Sequence, residues 1–572
     1  MVRYLFQFMN SRKFCSNCSY EVSIEAEIEK YRSKNPGVQP TLVFDFVGCI
    51  TIFIKSTEIL SGGRVDLCRK RIENFLGKLR DMNVDLVFFV DGQIKENKFP
   101  TWLERVNYKY GTQCELFDKI RQGQPVDMPY NGQSLFCLYD LFLRIAKNYG
   151  KMFVSLHNEC DLDCAAYAMK IRATAVFTSD TDFLIMPGDW PIWLPATVDL
   201  ERLRVRAWNK KCLRDKLDLK QSQLPIFSIL CGNDWINRER VMHIFQLLRG
   251  GVFQLRLAEY IRRHFPRGVP LSNDEFLDLV NMIYDNGKNS CTMEENDYKN
   301  PIITPDWLRK HIEDTSSNVL YSLVKDLPII VHQSFIDLSK KDVRLYCDLA
   351  LPIILKQMGV SDYHKIREKK ERIIYLKPTH EEPYQKKAMT PIFPDFDIPT
   401  LNILLGYDMT EEESANWRDK RLEIFCWIIS TKRHRVTPEV IKGAKDKKFI
   451  VSALVLNYLI KEIQITVEEA DVMLLSIYEA MNATQEKLES ITPPNLYDER
   501  AFWIAQVFLR LRRLYLDSLM ICGLSEYRDY DSYDGFIFHK MYMKYKTLDS
   551  DIKRSRREPI EDHRIYTLLL DL

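Results

Sequence analysis

Seven carboxylates in the first part of the chain carry the chemistry that the sequence offers most clearly. They are Asp45, Asp91, Glu159, Asp161, Asp180, Asp182 and Asp234. Carboxylates held at close range repel one another and destabilise a fold unless cations neutralise them. Magnesium and manganese ions prefer carboxylate oxygen, and two such ions roughly 4 Å apart can hold the attacking and leaving oxygens of a phosphodiester. The pattern therefore predicts a site for two Mg²⁺ or Mn²⁺ ions that hydrolyses phosphodiester bonds.

Four short apolar runs must position most of these acids, because each run leads directly into an acidic residue or motif. The runs are Thr41–Phe44, Asp85–Val90, Ala173–Thr178 and Leu224–Leu230. Runs this short and rich in β-branched and aromatic residues predict buried strands, and helical stretches between them indicate a parallel α/β sheet. Ligands of such a sheet bind beyond the carboxyl ends of its strands, where these acids would lie. A single aspartate after a strand is commonly a helix cap or turn residue, but its repetition at four strand ends favours a metal site.

Five segments carry a resemblance to a known family. They are Val43–Asp45, Ser61–Asp66, Phe89–Gly92, Thr178–Phe183 and Leu224–Asp234. In these segments the chain resembles the Asteroid proteins of the flap-endonuclease/XPG superfamily, and it is also similar to the related constitutive coactivators of PPAR-gamma. The resemblance implies an α/β PIN-like domain, with a parallel twisted sheet and flanking helices, followed by a mainly α-helical C-terminal region.

The resemblance also implies how the acids divide between two metal ions. Four would serve the metal at the scissile phosphate, namely Asp45, Asp91, Glu159 and Asp161. Three would serve the second metal, namely Asp180, Asp182 and Asp234. Asp163 is the alternative to Asp161 if the helix register differs by a step. The superfamily starts Met-Gly and carries a glycine-rich hairpin after the last aspartate, and this sequence has neither feature, so flap specificity does not follow.

Two cations and two aromatic residues follow the second aspartate. Superfamily nucleases place a lysine and an arginine seven and fourteen residues after that aspartate, and this chain has Lys98 and Arg105 there. Residues seven apart share one helix face, so the resemblance implies that both cations contact the phosphate. Trp102 and Tyr108 would offer stacking surface to a base. The alternative is a solvated basic helix whose tryptophan packs on the core.

Composition sets the remaining limits. A chain of 572 residues exceeds one core, so we predict a PIN-like domain over 1–265, a helical extension with a proline-containing linker over 266–395 and an α-helical domain over 396–572. The net charge is only +2, from 81 basic and 79 acidic residues, so nucleic acid would be bound by a local patch. No apolar run has the length of a membrane span.

Cysteine usage predicts an intracellular protein. The 14 cysteines lie mostly in apolar contexts, which favours buried reduced thiols. Cys15 and Cys18 have zinc-ligand spacing, but no second pair lies nearby. The basic run Lys553–Arg557 resembles a nuclear-import signal, so we expect the nucleus rather than the cytoplasm.

The C-terminal region offers two further patterns, each with two interpretations. Arg510, Arg512 and Arg513 lie in a predicted helix, where solvated arginines on a helical bundle are favoured over a nucleic-acid face. Phe536–Lys546 interleaves aromatic and basic residues, which suits base stacking and equally suits a helix with an aromatic core stripe.

The function predicted from the sequence is a metal-dependent, structure-selective nuclease that acts on DNA in preference to RNA. Its partners would be structured or single-stranded nucleic acid and, through the C-terminal helices, other proteins, without a membrane. The main alternative is a catalytically inactive PIN-like protein that binds RNA or acts as a scaffold. A phosphatase acting on small phosphoesters would use the same acids but leaves the two cations and the helical region unexplained.

Overall fold

The chain forms two compact units, each assembled from separate stretches of sequence. The first contains residues 1–53, 71–102 and 145–303, and the second contains residues 54–70, 103–144 and 304–572. The computed structural model describes residues 2, 4–11, 17–92, 94, 98–126, 136–156, 159–233, 246, 248, 251–268, 305–315, 319–331, 346–365, 371–376, 382–407, 409–444, 447–527 and 532–547. The division of the sequence into three consecutive domains stays a prediction.

The first unit is built on a mixed sheet of seven strands. The strands are β1 (Ser19–Ser23), β2 (Thr41–Asp45), β3 (Asp85–Asp91), β4 (Lys151–Ser155), β5 (Ala175–Phe177), β6 (Ile192–Trp193) and β7 (Arg204–Trp208). They lie in the order β1-β7-β6-β5-β2-β3-β4. The five strands from β6 to β4 run parallel, whereas β7 and β1 add an antiparallel edge. The predicted parallel α/β sheet is therefore confirmed, and the antiparallel edge is an addition that the apolar runs did not indicate.

Helices make up most of the remaining described structure. In chain order they are α1 (Leu5–Met9), α2 (Ile24–Lys34), α3 (Phe46–Cys49), α4 (Ser56–Leu60), α5 (Val65–Asp81), α6 (Phe99–Arg121), α7 (Phe136–Ala146), α8 (Cys160–Lys170), α9 (Lys210–Leu217), α10 (Leu224–Cys231), α11 (Phe253–His264), α12 (Asp306–Thr315), α13 (Val319–Val324), α14 (Tyr346–Asp362), α15 (Leu401–Leu405), α16 (Glu411–Asn416), α17 (Arg418–Ile429), α18 (Pro438–Gly443), α19 (Ile450–Lys461), α20 (Val467–Asn482), α21 (Gln485–Ser490), α22 (Glu499–Ile521) and α23 (Gly535–Lys546). No helix of the described residues is long and apolar enough to cross a membrane.

The central strands form the core of the first unit because their side chains are apolar on both faces. Phe44 stacks between Phe88 and Phe177, with ring centroids 4.9 and 4.6 Å away. All three rings are fully buried. A sheet covered on both faces needs such continuous apolar runs, which explains why these strands were recognisable in the sequence.

The run Leu224–Leu230 was predicted as a strand, and this prediction is wrong. It forms the helix α10, with Pro225 in the first turn and nearly every side chain buried. Proline is well tolerated in the first turn of a helix, where backbone N–H groups have no partner within the helix. Because an apolar run that is buried on all sides has no periodicity, the sequence alone does not separate a buried strand from a buried helix.

One pair of cysteines departs from the predicted reduced state. Cys18 and Cys212 form a disulfide between the residue before β1 and helix α9, 194 positions apart in sequence. The described free cysteines are mostly buried, in agreement with the prediction for the remainder. Cys15, the other half of the possible zinc pair, lies outside the described residues.

The second unit is largely helical and contains a small sheet that was not predicted. The three strands are β8 (Ile329–Val331), β9 (Arg372–Leu376) and β10 (Gln385–Met389). β9 lies in the middle, parallel to β8 and antiparallel to β10. The proline-containing segment was predicted as a linker, but β10 lies within it, so part of that prediction is wrong. Prolines bracket the strand instead of interrupting it, which keeps its N–H groups available for pairing.

The segment Ser61–Asp66 pairs with the chain before α23, within the second unit. Val65 N–H donates to Tyr533 O at 2.7 Å, and Gly535 N–H donates to Gly63 O at 2.9 Å. A Cβ atom on Gly535 would lie 2.1 Å from the Ser61 carbonyl oxygen, so only glycine permits this approach.

A buried ion pair joins the same two segments. Arg64 Nε donates to Asp534 Oδ2 at 2.7 Å, and the two side chains are 2% and 0% exposed. The guanidinium also donates to the Leu488 carbonyl at 2.6 Å and lies 4.5 Å from the centre of the Phe536 ring. The hydrogen bonds of this charged pair are therefore made to protein groups, because the pair is shielded from water.

Of the three arginines singled out in α22, two are buried and Arg513 is half-buried, so the predicted solvated arginine face is wrong. Arg510 and Arg512 are 8% and 2% exposed. Arg513 pairs with Asp140 at 2.7 Å and with Asp517 at 2.9 Å. Asp140 lies in α7, far from α22 in sequence. The sequence around Arg513 therefore gives no indication that Asp140 is its partner. In α23 the aromatic residues Phe536, Phe538 and Tyr542 are buried, which favours the core-stripe interpretation of that segment.

Ile463 adopts a backbone conformation that suits glycine. It follows α19 with φ of +59° and is 78% exposed. Gln464 N–H donates to Leu459 O and Ile463 N–H donates to Ile460 O, which is the hydrogen-bond pattern of a helix end that usually carries glycine at this position. A β-branched residue there costs about 1 kcal/mol or more.

We expect Ile463→Gly to stabilise the second unit by about 0.5–1 kcal/mol, measured by denaturant unfolding. Gly523→Ala is the matched control, because Gly523 holds the equivalent position after α22 with φ of +69°. An added Cβ there would lie 2.9 Å from the Leu404 carbonyl oxygen, so this variant should lose stability. Equal changes in both variants would contradict the prediction.

Candidate metal centre

The strand order brings four carboxyl ends together at one edge of the sheet. Strands β5, β2, β3 and β4 are consecutive neighbours, and the register pairs Phe44 with Phe177 and Asp91 with Ser155. Asp45 ends β2 and Asp91 ends β3, so the two carboxylates lie on adjacent strands. The chain leaves β2 toward β3 on one side and returns to its other side at β5. Such a reversal of strand order opens a crevice where ligands bind in α/β sheets.

Helix α8 supplies the next two acids. Glu159 is its N-cap residue, and Asp161 lies in the first turn. The N-terminal end of a helix carries partial positive charge, which favours carboxylates there. The charge of Asp161 interacts with Asp45, Asp91, Asp180 and Asp182. The charge of Asp163, which is buried further along α8, acts on the Cys164 thiol, and the choice between Asp161 and Asp163 stays a prediction.

Thr178 organises the loop after β5. Its hydroxyl donates to Asp45 Oδ2 at 2.7 Å and accepts from the Asp180 N–H at 3.0 Å. Asp180 Oδ1 in turn accepts from the Asp182 N–H at 2.9 Å. This fully buried threonine therefore fixes Asp45 relative to the two later aspartates. The Thr181 hydroxyl donates to the Val2 carbonyl at 3.2 Å, which ties the loop to the N-terminal segment.

The carboxylates disturb one another as a crowded anionic site should. Loss of hydration, with repulsion from Asp91 and Asp180, raises the pKa of Asp45 to about 7 despite the Thr178 hydrogen bond. Loss of hydration also raises the pKa of Asp91, while Lys98 and the Cys160 thiol oppose that rise. The same cause, with four neighbouring aspartates, raises the pKa of Asp161 well above its usual range. Accumulated negative charge of this kind favours a bound cation.

The structure places the predicted cations and aromatic residues as follows. Lys98 lies immediately before α6 and forms an ion pair with Glu159. Trp102 stacks on Phe99 with ring centroids 5.4 Å apart. Arg105 and Tyr108 lie further along α6, and both are exposed, Tyr108 to 80%. Asp234 lies outside the described residues, as does the basic run over 553–557.

The donor chemistry fits a hard divalent cation, although the ligands are not fully gathered. Within the described part of the chain, no group of three or more Asp, Glu, His or Cys side chains is close enough to hold a metal ion. The available donors at the sheet edge are carboxylate oxygens, which suit magnesium or manganese. Relief of their mutual repulsion would draw these side chains toward a bound cation. The residues that would hold it are Asp45, Asp91, Glu159, Asp161, Asp180 and Asp182.

Two residues of the site were not singled out as contributors from the sequence. Thr178 was quoted as part of a motif, yet its link to Asp45 depends on the pairing of β2 with β5. The Cys160 thiol, which is buried beside Asp91, was covered only by the general prediction of buried reduced thiols. A hydroxyl residue two positions before an aspartate is a recognisable loop signal, whereas nothing local reveals the role of the cysteine.

The raised pKa of Asp45 predicts how pH affects the metal-free protein. Its pKa is 3.8 in the unfolded chain and about 7 when folded, so the folded state binds the proton more tightly. The stability that this group contributes is thus lost as pH rises toward and through 7. We expect the free energy of unfolding in EDTA to fall by about 2 kcal/mol between pH 5.5 and pH 8, after allowance for solvent screening. The melting temperature should fall over the same range. Asp45→Asn should flatten that fall, and an identical slope in both proteins would contradict the prediction.

The sheet order and the acidic edge define the first unit as an α/β domain with a mainly parallel sheet. No protein-family model matches the chain. Its sequence is similar to the constitutive coactivator of peroxisome proliferator-activated receptor gamma. Identity to the mouse protein is 27% over 224 residues, covering 38% of this chain and 28% of that one. Identity to the human protein is 26% over 228 residues, covering 39% and 24% respectively. The chain thus spans about a quarter to a third of the length of these curated relatives.

Two solved structures that contain DNA show a distant likeness. Human GEN1 in complex with Holliday junction DNA is 12% identical, with 73% of this chain and 92% of that chain covered and a TM-score of 0.26. The Holliday junction-resolving enzyme GEN1 with product DNA, Mg²⁺ and Mn²⁺ is 11% identical, with coverage of 69% and 95% and a TM-score of 0.30. At these values the likeness does not bear on the chemistry of this chain.

Proposed function

We propose that this chain is a metal-dependent nuclease that hydrolyses phosphodiester bonds, with DNA as the preferred substrate. The observation that carries the proposal is the gathering of Asp45, Asp91 and Asp161 at one sheet edge, each with a pKa raised by lost hydration and like charge. Anionic sites of this kind are costly to a fold unless a cation occupies them. Three of the five segments that resemble the XPG superfamily, Val43–Asp45, Phe89–Gly92 and Thr178–Phe183, lie at the same edge and support the choice of a phosphodiester.

The residues of the chain would divide the work by position. A divalent cation held by these carboxylates would supply Lewis-acid stabilisation of the phosphate and lower the pKa of a water. Asp45 and Asp91 would be its central ligands, with Thr178 keeping Asp45 oriented. Lys98, whose positive charge acts on Asp91, would offset the negative charge that develops on the phosphate. For Arg105 and Tyr108, contact with a phosphate and stacking on a base stay what the family resemblance implies.

The second candidate is a PIN-like protein without catalysis that binds RNA or other proteins. Two observations favour it: the incomplete gathering of ligands across the described residues and the sequence similarity to coactivator proteins. In this case the acidic edge would remain as an inherited feature of the fold. The second, helical unit would then supply the surface for protein partners.

Cleavage assays separate the two candidates. End-labelled single strands, duplexes, flaps and overhangs of DNA and RNA would be incubated with purified protein in Mg²⁺, Mn²⁺ or EDTA. The nuclease requires metal-dependent cleavage that Asp180→Asn abolishes in a parallel preparation. Folded protein that cleaves nothing in either metal would reject the nuclease and favour the binding protein.

A further inference from the structure

The ion pair between Lys98 and Glu159 joins two groups that the proposed nuclease would use separately. Glu159 is a candidate metal ligand, and Lys98 is a candidate phosphate contact. In the structure the ammonium pairs with the carboxylate, and the side chains are only 25% and 17% exposed. The lysine pairs with Glu159 Oε2, so that oxygen is not open to a divalent cation while the pair is intact. The pair therefore neutralises part of the negative charge at this sheet edge with a cation of the chain itself.

The positions of the two residues explain why they meet. Lys98 follows β3 and precedes α6, while Glu159 follows β4 and caps α8. Strands β3 and β4 are parallel neighbours, so both residues emerge at the same sheet edge. The approach is close, since a Cβ on Gly92 would lie 2.0 Å from the Ser155 carbonyl oxygen. The charge of Lys98 reaches beyond Glu159 and also acts on Asp91.

We propose that Lys98 is a tethered counter-ion that competes with the divalent cation for Glu159 and is released toward the phosphate when the cation binds. The inference rests on the proposed metal-dependent function and adds a regulatory step to it. A lysine suits this exchange because its ammonium is a point charge on a flexible stem and can change partners without fixed geometry. A divalent cation carries two positive charges and the ammonium of Lys98 carries one, so the exchange also neutralises more of the negative charge at the sheet edge.

The proposal makes a prediction about metal affinity that is independent of cleavage. Lys98→Met removes the competing charge and retains a long apolar stem. We expect its dissociation constant for Mn²⁺ to be roughly 1.5-fold to fivefold lower than that of the wild type, the range of a partly exposed ion pair. Affinity would be measured by calorimetry on EDTA-stripped full-length protein without nucleic acid. Cleavage by the same variant should slow, so tighter metal binding would accompany weaker catalysis.

A double-mutant cycle separates competition for Glu159 from the general effect of a nearby positive charge. Lys98→Met would be compared in the wild-type and Glu159→Gln backgrounds. If Lys98 acts through Glu159, its effect on Mn²⁺ affinity disappears in the Glu159→Gln background. An effect of equal size in both backgrounds would overturn the proposal and leave only long-range electrostatics. Melting temperatures in EDTA would verify that each variant is folded.

The outcomes also distinguish this inference from the proposed function on which it rests. Mn²⁺ binding that is equal in wild type and Lys98→Met would reject the counter-ion while the metal site stands. Mn²⁺ binding to none of the folded variants would reject the metal-dependent nuclease, and the counter-ion with it. Tighter binding in Lys98→Met that depends on Glu159 supports both.

Discussion

Replacement of Asp91 by asparagine is expected to lower metal-dependent cleavage about a hundredfold to a thousandfold, the range seen when one charge-stabilising group is removed from an active site. Asparagine keeps the shape and one oxygen of the side chain but removes its charge. Asp91 ends the strand next to that of Asp45, and its charge interacts with Lys98, Glu159 and Asp180. The loss should appear in the rate at saturating substrate, because Asp91 is placed to act on the cation and not on the rest of the nucleic acid.

The opposite end of the same strand provides the control. Asp85 begins β3, is exposed, and lies at the amino edge of the sheet. Asp85→Asn changes the same functional group in the same strand and should retain full activity. Full activity in both the Asp91 and the Asp85 variant would show that the cleavage does not come from this sheet edge. A loss in both would indicate a disturbed strand, which a melting curve would reveal.

Removal of the Arg64 charge is expected to destabilise the second unit by about 3–5 kcal/mol, because Asp534 would remain as a buried carboxylate without its partner. Asp534 is 0% exposed, and Arg64 opposes the rise that burial causes in its pKa. Arg64→Met fills a similar volume without charge. A loss of this size should lower the melting temperature of the unit by roughly 6–20 °C.

Two further variants test the reason for that loss. Asp534→Asn keeps an oxygen that can cap α23, where Asp534 accepts from the N–H groups of Phe536 and Ile537. Combined with Arg64→Met it removes the unpaired charge, so the double variant should be more stable than Arg64→Met alone. Lys487→Met, which breaks the exposed pair with Glu479, should change stability by less than about 1 kcal/mol. A double variant no better than the single one would contradict the charge argument.

The sequence revealed the acidic sheet edge because local signals and the fold agree there. Strands β2 and β3 end at the acids that the apolar runs indicated, and their burial on both faces gives a continuous apolar pattern. Leu224–Leu230 has the same appearance but packs as a helix, because complete burial removes the periodicity that would distinguish the two. The role of Thr178 depends on which strand lies beside β2, and a single sequence does not state that order.

Long-range partners account for the other differences. Arg513 looked like a surface charge because Asp140 lies in a distant helix, and Cys18 gave no sign of its bond to Cys212. Lys98 and Glu159 were each identified by the family resemblance, yet their pairing was not. Each of these contacts depends on tertiary structure that brings together residues with no shared local pattern. Sequence periodicity predicts which face of a helix or strand is buried, but it does not show which other face packs against it.

The pairing of Arg64 with Asp534 has a consequence for synthesis on the ribosome. The two residues are separated by 470 positions, and translation at about 5–20 residues per second would take roughly 20 to 90 seconds to cover that interval. Throughout that time the segment Ser61–Asp66 exists, but the chain before α23, with which it pairs, has not yet been made. Arg64 therefore stays in water without its carboxylate partner over that interval, so this part of the second unit completes its packing only after Asp534 has been made.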